Sequence, residues 1–124
     1  MSQLILVVED DATMQKMALK ILRSRGFACE SAPNGRAAVA MAATLKPSLI
    51  LMDLSLPEMN GWEATRALKA DPALAKIPVL ALSGDRSLVA QAIALGTDGL
   101  AKPVELTTLL EKVRHFCGEA TPSA

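Results

Sequence analysis

The sequence predicts an α/β fold in which five parallel strands alternate with five helices and form one doubly wound sheet. Short apolar segments alternate along the chain with segments whose apolar residues recur at helical spacing. Each connection is long enough for the right-handed crossover that joins parallel strands. Leu49–Met52 is apolar without alternation, which is typical of a central strand covered by helices on both faces.

The predicted strands are short, and the second of them is predicted to lie at an edge of the sheet. It carries Glu30 and alternates only weakly between apolar and polar residues, as a strand with one solvated face does. The five predicted strands cover residues 4–8, 27–32, 49–53, 77–82 and 99–101.

The helices are predicted from apolar periodicity and from their end signals. The second and third span residues 36–45 and about 62–70, and the last carries an apolar stripe from Leu106 to Phe116. Gly26 and Gly96 end the first and fourth helices, because glycine readily adopts the left-handed conformation that follows many helices.

The first helix carries an apolar stripe that includes two methionines. Methionine can form a soft binding surface, but a stripe at helical spacing is more often part of the core. We therefore predict that these residues pack inside the protein. They are Met14, Met17, Ala18, Ile21 and Leu22.

Length and charge limit the possible functions. A chain of 124 residues predicts one domain, which we place at residues 3–118, followed by a frayed tail at 119–124. The 13 basic residues balance the 13 acidic ones, so no overall field favours nucleic acid or anionic lipid. The sequence shows no leader and no apolar run long enough to span a bilayer, which predicts a cytoplasmic protein without membrane insertion.

Cysteine and histidine usage argues against metal centres of the zinc type and against redox chemistry. Cys29 and Cys117 lie far apart, and His115 is the only histidine. We predict that both cysteines are small apolar residues of the core or of an interface.

Polar residues follow four of the predicted strands. Each has an ordinary structural explanation as a helix cap, a turn former or a solvated lysine. Because the carboxyl ends of parallel strands share one edge of the sheet, the same residues are also predicted to face a common cleft. Their joint placement favours a functional site. They are Glu9, Asp10, Asp53, Ser83 and Lys102.

This set of side chains suits phosphoryl transfer. Three crowded carboxylates raise one another's pKa, and oxygen ligands without histidine or cysteine favour Mg²⁺. Asp53 is then the predicted nucleophile that becomes an acyl phosphate, while Lys102 and Ser83 contact phosphoryl oxygens. The absence of a second catalytic base from this set fits a protein that accepts and holds a phosphoryl group.

At these residues the chain closely resembles the receiver domain of bacterial two-component response regulators. The matching segments are VVEDD at 7–11, MDLSLPEMNG at 52–61, LALSG at 80–84 and AKP at 101–103. The resemblance implies a flavodoxin-like sheet with strand order 2-1-3-4-5. It also implies a cis peptide bond between Lys102 and Pro103.

The resemblance further implies roles for the site residues. Asp53 would accept a phosphoryl group from a phosphohistidine on a sensor histidine kinase or a histidine phosphotransfer protein. Glu9, Asp10, Asp53 and the backbone carbonyl of Ser55 would hold Mg²⁺.

Two positions depart from the pattern of the family. Receivers commonly carry Tyr or Phe three residues before the conserved lysine, where this chain has Gly99, and many place Phe after the proline, where it has Val104. Our hypothesis is that switching is muted, or proceeds by movement of backbone and helices alone.

The sequence thus predicts a single-domain, chemotaxis-type response regulator that signals by binding a downstream protein and is not an enzyme acting on other substrates. One alternative is a degenerate receiver that acts as an interaction module independent of phosphorylation. Another is a small phosphatase with an aspartyl nucleophile, which is disfavoured because such enzymes usually carry a second acid where this chain has Ser55.

Overall fold

The structure, a computed structural model, describes residues 4–54 and 61–117, and for residues 61 and 62 it describes the backbone only. Its strands are β1 (Leu4–Val8), β2 (Ala28–Ala32), β3 (Leu49–Asp53), β4 (Val79–Ser83) and β5 (Asp98–Ala101). Its helices are α1 (Ala12–Ser24), α2 (Gly35–Leu45), α3 (Gly61–Ala70), α4 (Arg86–Ala94) and α5 (Leu106–Cys117). All paired strands are parallel, in the order β2-β1-β3-β4-β5. The predicted doubly wound α/β fold is confirmed.

The sheet divides the core into two layers. Successive residues of a strand point to opposite faces, so β1 and β3 supply apolar side chains to both layers. Leu6 and Ile50 pack with residues of α2, α3 and α4, whereas Ile5 and Leu51 pack with residues of α1 and α5. All five residues of β3 are buried. This burial on both faces explains why the β3 sequence shows no alternation.

The largest difference from the predicted element boundaries is at the start of β4. β4 begins at Val79 rather than at Ile77, because Pro78 has no N–H and the N–H of Ile77 donates to the carbonyl of Leu74 at 3.0 Å. The helix ends were predicted correctly, since Gly26 and Gly96 have φ of 89° and 98°.

Three helices begin directly at the carboxyl edge of the sheet. Asp11, Asn34 and Asp85 are the N-caps of α1, α2 and α4, and each side chain accepts a hydrogen bond from the first turn of its helix. Because these caps follow β1, β2 and β4, the positive ends of three helix dipoles lie along one edge.

The prediction that the apolar stripe of α1 lies in the core is wrong for its first half. Met14 and Met17 are each 52% exposed, and only Leu22 of the stripe is fully buried. This exposure follows from the tertiary packing of the helix. The end of α1 packs on Phe27 and Cys29, whereas its beginning borders an open cavity. Leu106 at the start of α5 is likewise exposed.

Both cysteines are buried and free, as core residues. Burial raises the pKa of the Cys117 thiol to about 11. Among the helices that the structure describes, each is too short or too polar to cross a membrane.

Helix α4 packs closely on β5 at Gly99. A Cβ atom placed on Gly99 would lie 2.7 Å from Cγ1 of Val89 and 3.6 Å from Cγ1 of Ile93. Val89 is only 8% exposed, so its side chain has little room to move away. The valine on α4 therefore occupies the space beside the strand that a side chain at position 99 would need.

Gly99→Ala is expected to lower the free energy of unfolding by about 1–3 kcal/mol, because the new methyl group overpacks against Val89. The same substitution in a Val89→Ala background should cost much less, so the two changes are expected to be non-additive. Urea unfolding of the four proteins of this double-mutant cycle tests the contact. Additive effects would show that Val89 does not restrict position 99.

Candidate functional site

The strand register brings the predicted site residues to one edge of the sheet. Val8 pairs with Met52, so Glu9 follows β1 beside Asp53 at the end of β3. Asp53 pairs with Leu82, one residue before Ser83, and Ser83 pairs with Ala101, one residue before Lys102. Three successive strand pairs thus place an acid, a hydroxyl and an amine side by side.

An ion pair links the two central side chains. Nζ of Lys102 donates to Oδ2 of Asp53 at 3.1 Å. Asp53 is only 7% exposed, whereas more than a third of the Lys102 side chain is accessible to solvent. The lysine therefore reaches the acid from the solvent side and keeps its charge hydrated.

Three carboxylates form a cluster around the same point. One ligand oxygen from each of Glu9, Asp10 and Asp53 lies within 4.8 Å of the others. Burial raises the pKa of Glu9, and the charge of Asp53 and a hydrogen bond with Asp10 raise it further. The backbone N–H of Asp11 and the charge of Lys102 act in the opposite direction. The cluster therefore holds more negative charge than its single lysine offsets.

The acid cluster fits a divalent cation. Two oxygens bound to one Mg²⁺ at ~2.0–2.1 Å are at most ~4.2 Å apart, so the 4.8 Å limit on the three oxygens requires only small side-chain adjustments. The donors are all oxygens, and Asp10 is exposed enough to keep water ligands on the ion. The predicted ligand Ser55 lies outside the described residues.

Ser83 lies at the end of β4, on the side of Asp53 away from β1. It is 1% exposed, and its Oγ accepts a hydrogen bond from the N–H of Asp85 at 3.0 Å. Its carbonyl accepts from the N–H of Lys102 at 2.8 Å, which ties the two residues together. The peptide bond between Lys102 and Pro103 is cis, as the family resemblance implied.

Sequence reasoning missed a glutamine that contacts the acidic turn. Nε2 of Gln15 on α1 donates to the carbonyl oxygen of Glu9 at 2.9 Å. A lone glutamine on a helix carries no sequence signal for this contact, because the hydrogen bond depends on how α1 lies over the turn that precedes it.

An apolar cavity of about 650 Å³ opens beside the acids and was also not predicted. Val7, Leu51 and Leu82 form its floor on the sheet. Its walls come from α1, from α5 and from the segment between β5 and α5. These wall residues are Met14, Met17, Ala18, Ile21, Val104, Leu106 and Leu109. Asp53 and Lys102 line its end, so the apolar surface is continuous with the charged site.

Comparisons with known proteins give the family. The sequence model of the response regulator receiver domain matches residues 5–114. The chain belongs to the response regulator receiver domain family. Polar-differentiation response regulator DivK of Brucella anthropi is 31% identical over 126 residues, covering 97% of this chain and 100% of DivK. DNA-binding response regulator MtrA of Mycobacterium tuberculosis is 35% identical, and the chain spans about half of its length.

Solved receiver structures superpose closely on this chain. The receiver domain of sensor histidine kinase PA1611 from Pseudomonas aeruginosa, with magnesium coordinated in its active-site cleft, has a TM-score of 0.84 at 30% identity and covers 96% of this chain and 100% of that one. The co-crystal structure of the Saccharomyces cerevisiae phosphotransfer protein Ypd1 with the receiver domain of Ssk1 gives 0.81 at 28% identity, covering 94% and 89%.

In the metal-free protein, Glu9→Gln is expected to raise the free energy of unfolding at neutral pH. Because the pKa of Glu9 is raised above 4.5 on folding, the folded state loses stability as the pH rises through the unfolded value and then through the folded one. The gain from Glu9→Gln should therefore be larger at pH 7 than below the unfolded pKa of 4.5, where the carboxyl group is protonated in both states.

Urea unfolding in the presence of a chelator, at several pH values, measures this difference. Glu30→Gln, at an exposed acid on β2, controls for the change in net charge. An equal effect of Glu9→Gln at both pH values would contradict the crowding of charge around Glu9.

Proposed function

We propose that this receiver accepts a phosphoryl group on Asp53 in a Mg²⁺-dependent reaction and passes the signal on through protein contacts in the cytoplasm. The supporting observation is the position of Asp53. It is nearly buried at the end of the central strand, it pairs with Lys102 at 3.1 Å, and it shares a 4.8 Å cluster with Glu9 and Asp10.

Asp53 is the nucleophile of this proposal. Its carboxylate oxygen attacks the phosphorus of a phosphohistidine, the P–N bond breaks, and the imidazole nitrogen keeps the electron pair and takes up a proton. The product is an acyl phosphate on Asp53. A bound Mg²⁺, held by Glu9, Asp10 and Asp53 and by the Ser55 carbonyl, would neutralise charge on the phosphoryl oxygens.

Lys102 and Ser83 stabilise the transferred group. Lys102 already contacts Asp53, and after transfer its ammonium group pairs with a phosphoryl oxygen instead of the carboxylate oxygen. The Ser83 hydroxyl donates to a second phosphoryl oxygen. This change at Ser83 acts on its hydrogen bond from the N–H of Asp85, the residue that caps α4.

The output signal is proposed to leave the site through α4. Asp85 connects Ser83 to the first turn of this helix, and Val89 packs one turn further along against the backbone of β5. Since Gly99 has no side chain that could change rotamer, the movement of α4 itself is the signal that a downstream protein reads.

The phosphoryl donor is proposed to be a sensor histidine kinase or a histidine phosphotransfer protein that docks beside α1. Met14 and Met17 expose apolar surface at the mouth of the cavity whose inner end is Asp53. Methionine side chains adapt to a partner surface because they are unbranched and polarisable. A helix of the donor lying on α1 would cover them while its histidine faced Asp53.

Incubation with Mg²⁺ and acetyl phosphate is expected to add one phosphoryl group, which intact mass measurement detects. Asp53→Asn should abolish the adduct, because the amide is not a nucleophile for phosphorus. Asp10→Asn should slow its formation strongly by weakening the metal site. Asp11→Asn is the matched control, because asparagine also caps helices and Asp11 is not in the acid cluster.

Formation of the adduct in Asp53→Asn would refute the assignment of the acceptor. A wild-type protein without an adduct would instead favour the degenerate interaction module. Fast hydrolysis of unrelated phosphoesters would favour the phosphatase.

Met17→Lys is expected to lower the rate of phosphotransfer from a donor protein by about tenfold, which corresponds to a lost apolar contact of ~1.4 kcal/mol. The reaction with acetyl phosphate should be unchanged, because the small donor needs no docking surface. Ile93→Lys on α4 is the control, since Ile93 is 50% exposed and Met17 is 52% exposed. Equal loss in both variants would show that α1 is not the docking surface.

A further inference from the structure

We propose that Gln15 is a positioning residue for the acid cluster: its carboxamide orients the turn between β1 and α1 so that Glu9 and Asp10 converge on a divalent cation. This inference rests on the proposed function, since it concerns the metal that the proposed phosphoryl transfer requires. It assigns a role to a side chain that does not itself bind the metal.

The Glu9 carbonyl lies just past the last paired residues of β1 and β2. The N–H of Glu9 still donates to the carbonyl of Ala32 at 3.1 Å, which is the last backbone contact between this end of β1 and β2. β2 ends at Ala32, so the ladder does not continue to Asn34, whose N–H would be the next donor in this parallel register. Gln15 supplies the missing donor, at 2.9 Å, from a half-buried position on α1.

The hydrogen bond from Gln15 acts on the peptide group that leads into Asp10. The carbonyl of Glu9 and the N–H of Asp10 belong to one planar unit, so fixing the direction of the carbonyl also fixes the direction in which Asp10 leaves the turn. Rotation of this unit would swing the Asp10 carboxylate away from Asp53.

Two further hydrogen bonds restrain the turn between β1 and α1. Oε2 of Glu9 accepts from the N–H of Asp11 at 3.3 Å, and Oδ1 of Asp11 accepts from the N–H of Met14 at 3.0 Å. These contacts fix the start of α1 relative to the turn. Gln15, one turn into α1, then fixes the peptide group between the two acids from outside the cluster.

A purely structural role for Gln15 would affect stability alone, whereas a positioning role affects the metal. Outer hydrogen-bond partners of metal ligands typically tune metal affinity, because they hold the ligands in the bound geometry. At saturating Mg²⁺ the ion itself orders the carboxylates. We therefore expect a change in the Mg²⁺ dissociation constant without a matching change in the maximal rate of phosphorylation.

The test compares Gln15→Met with the wild-type protein, because methionine preserves the length of the side chain and removes the donor. Calorimetric titration of each unphosphorylated protein with Mg²⁺ is expected to give a dissociation constant about 3- to 10-fold higher for the variant, at the lower end of the effect seen for partners of metal ligands. The rate of reaction with acetyl phosphate at saturating Mg²⁺ should remain within about twofold of wild type, as expected for loss of one hydrogen bond outside the reacting groups.

Two further variants complete the experiment. Gln91→Met makes the same change on the exposed side of α4 and should leave both quantities unchanged. Gln15→Ala should reproduce the weaker Mg²⁺ binding and guards against a fold defect peculiar to the methionine. Circular dichroism confirms that each variant is folded.

An unchanged Mg²⁺ dissociation constant in Gln15→Met and Gln15→Ala would overturn the inference while leaving the proposed function intact. A maximal rate that falls with an unchanged dissociation constant would also overturn it. A wild-type protein that binds no Mg²⁺ would overturn the inference together with the proposed function, so the two failures are distinguishable.

Discussion

Repulsion among Glu9, Asp10 and Asp53 is the constraint on which the rest of this site depends. The parallel sheet brings the ends of β1 and β3 together, and one ligand oxygen from each of the three carboxylates lies within 4.8 Å of the others. Lys102 compensates one negative charge, and the N-termini of α1, α2 and α4 along the same edge add favourable dipoles. The remaining excess of negative charge would favour the binding of a divalent cation at this site.

The fold was predictable because its signals are local. The uninterrupted apolar segment of β3 reflects burial on both faces, and Gly26 and Gly96 end helices through a conformation that glycine adopts without strain. The error on α1 has a different origin. Periodicity shows that Met14 and Met17 share a face with Leu22, but it cannot show that the sheet and α5 cover only the end of that face.

The candidate site was predictable in outline for a topological reason. In a parallel sheet every strand ends at the same edge, so reading the residues after β1, β3, β4 and β5 is enough to group Glu9, Asp53, Ser83 and Lys102. The contacts of Gln15 and Val89 could not be read in this way. Each depends on the distance and rotation of a helix relative to the backbone beside it, and the sequence does not specify either quantity directly.

The contact between Val89 and Gly99 limits the kind of structural change that the site could transmit to a downstream protein. A rotating ring can report two discrete orientations while the surrounding backbone stays still, whereas a valine seated against a bare strand couples its whole helix to that strand. Under the proposed output through α4, a downstream protein would meet a shared shift of the nine residues of this helix. Its amplitude depends on how much sliding the interior tolerates, so recognition would be graded by helix position and not by the rotamer of one side chain.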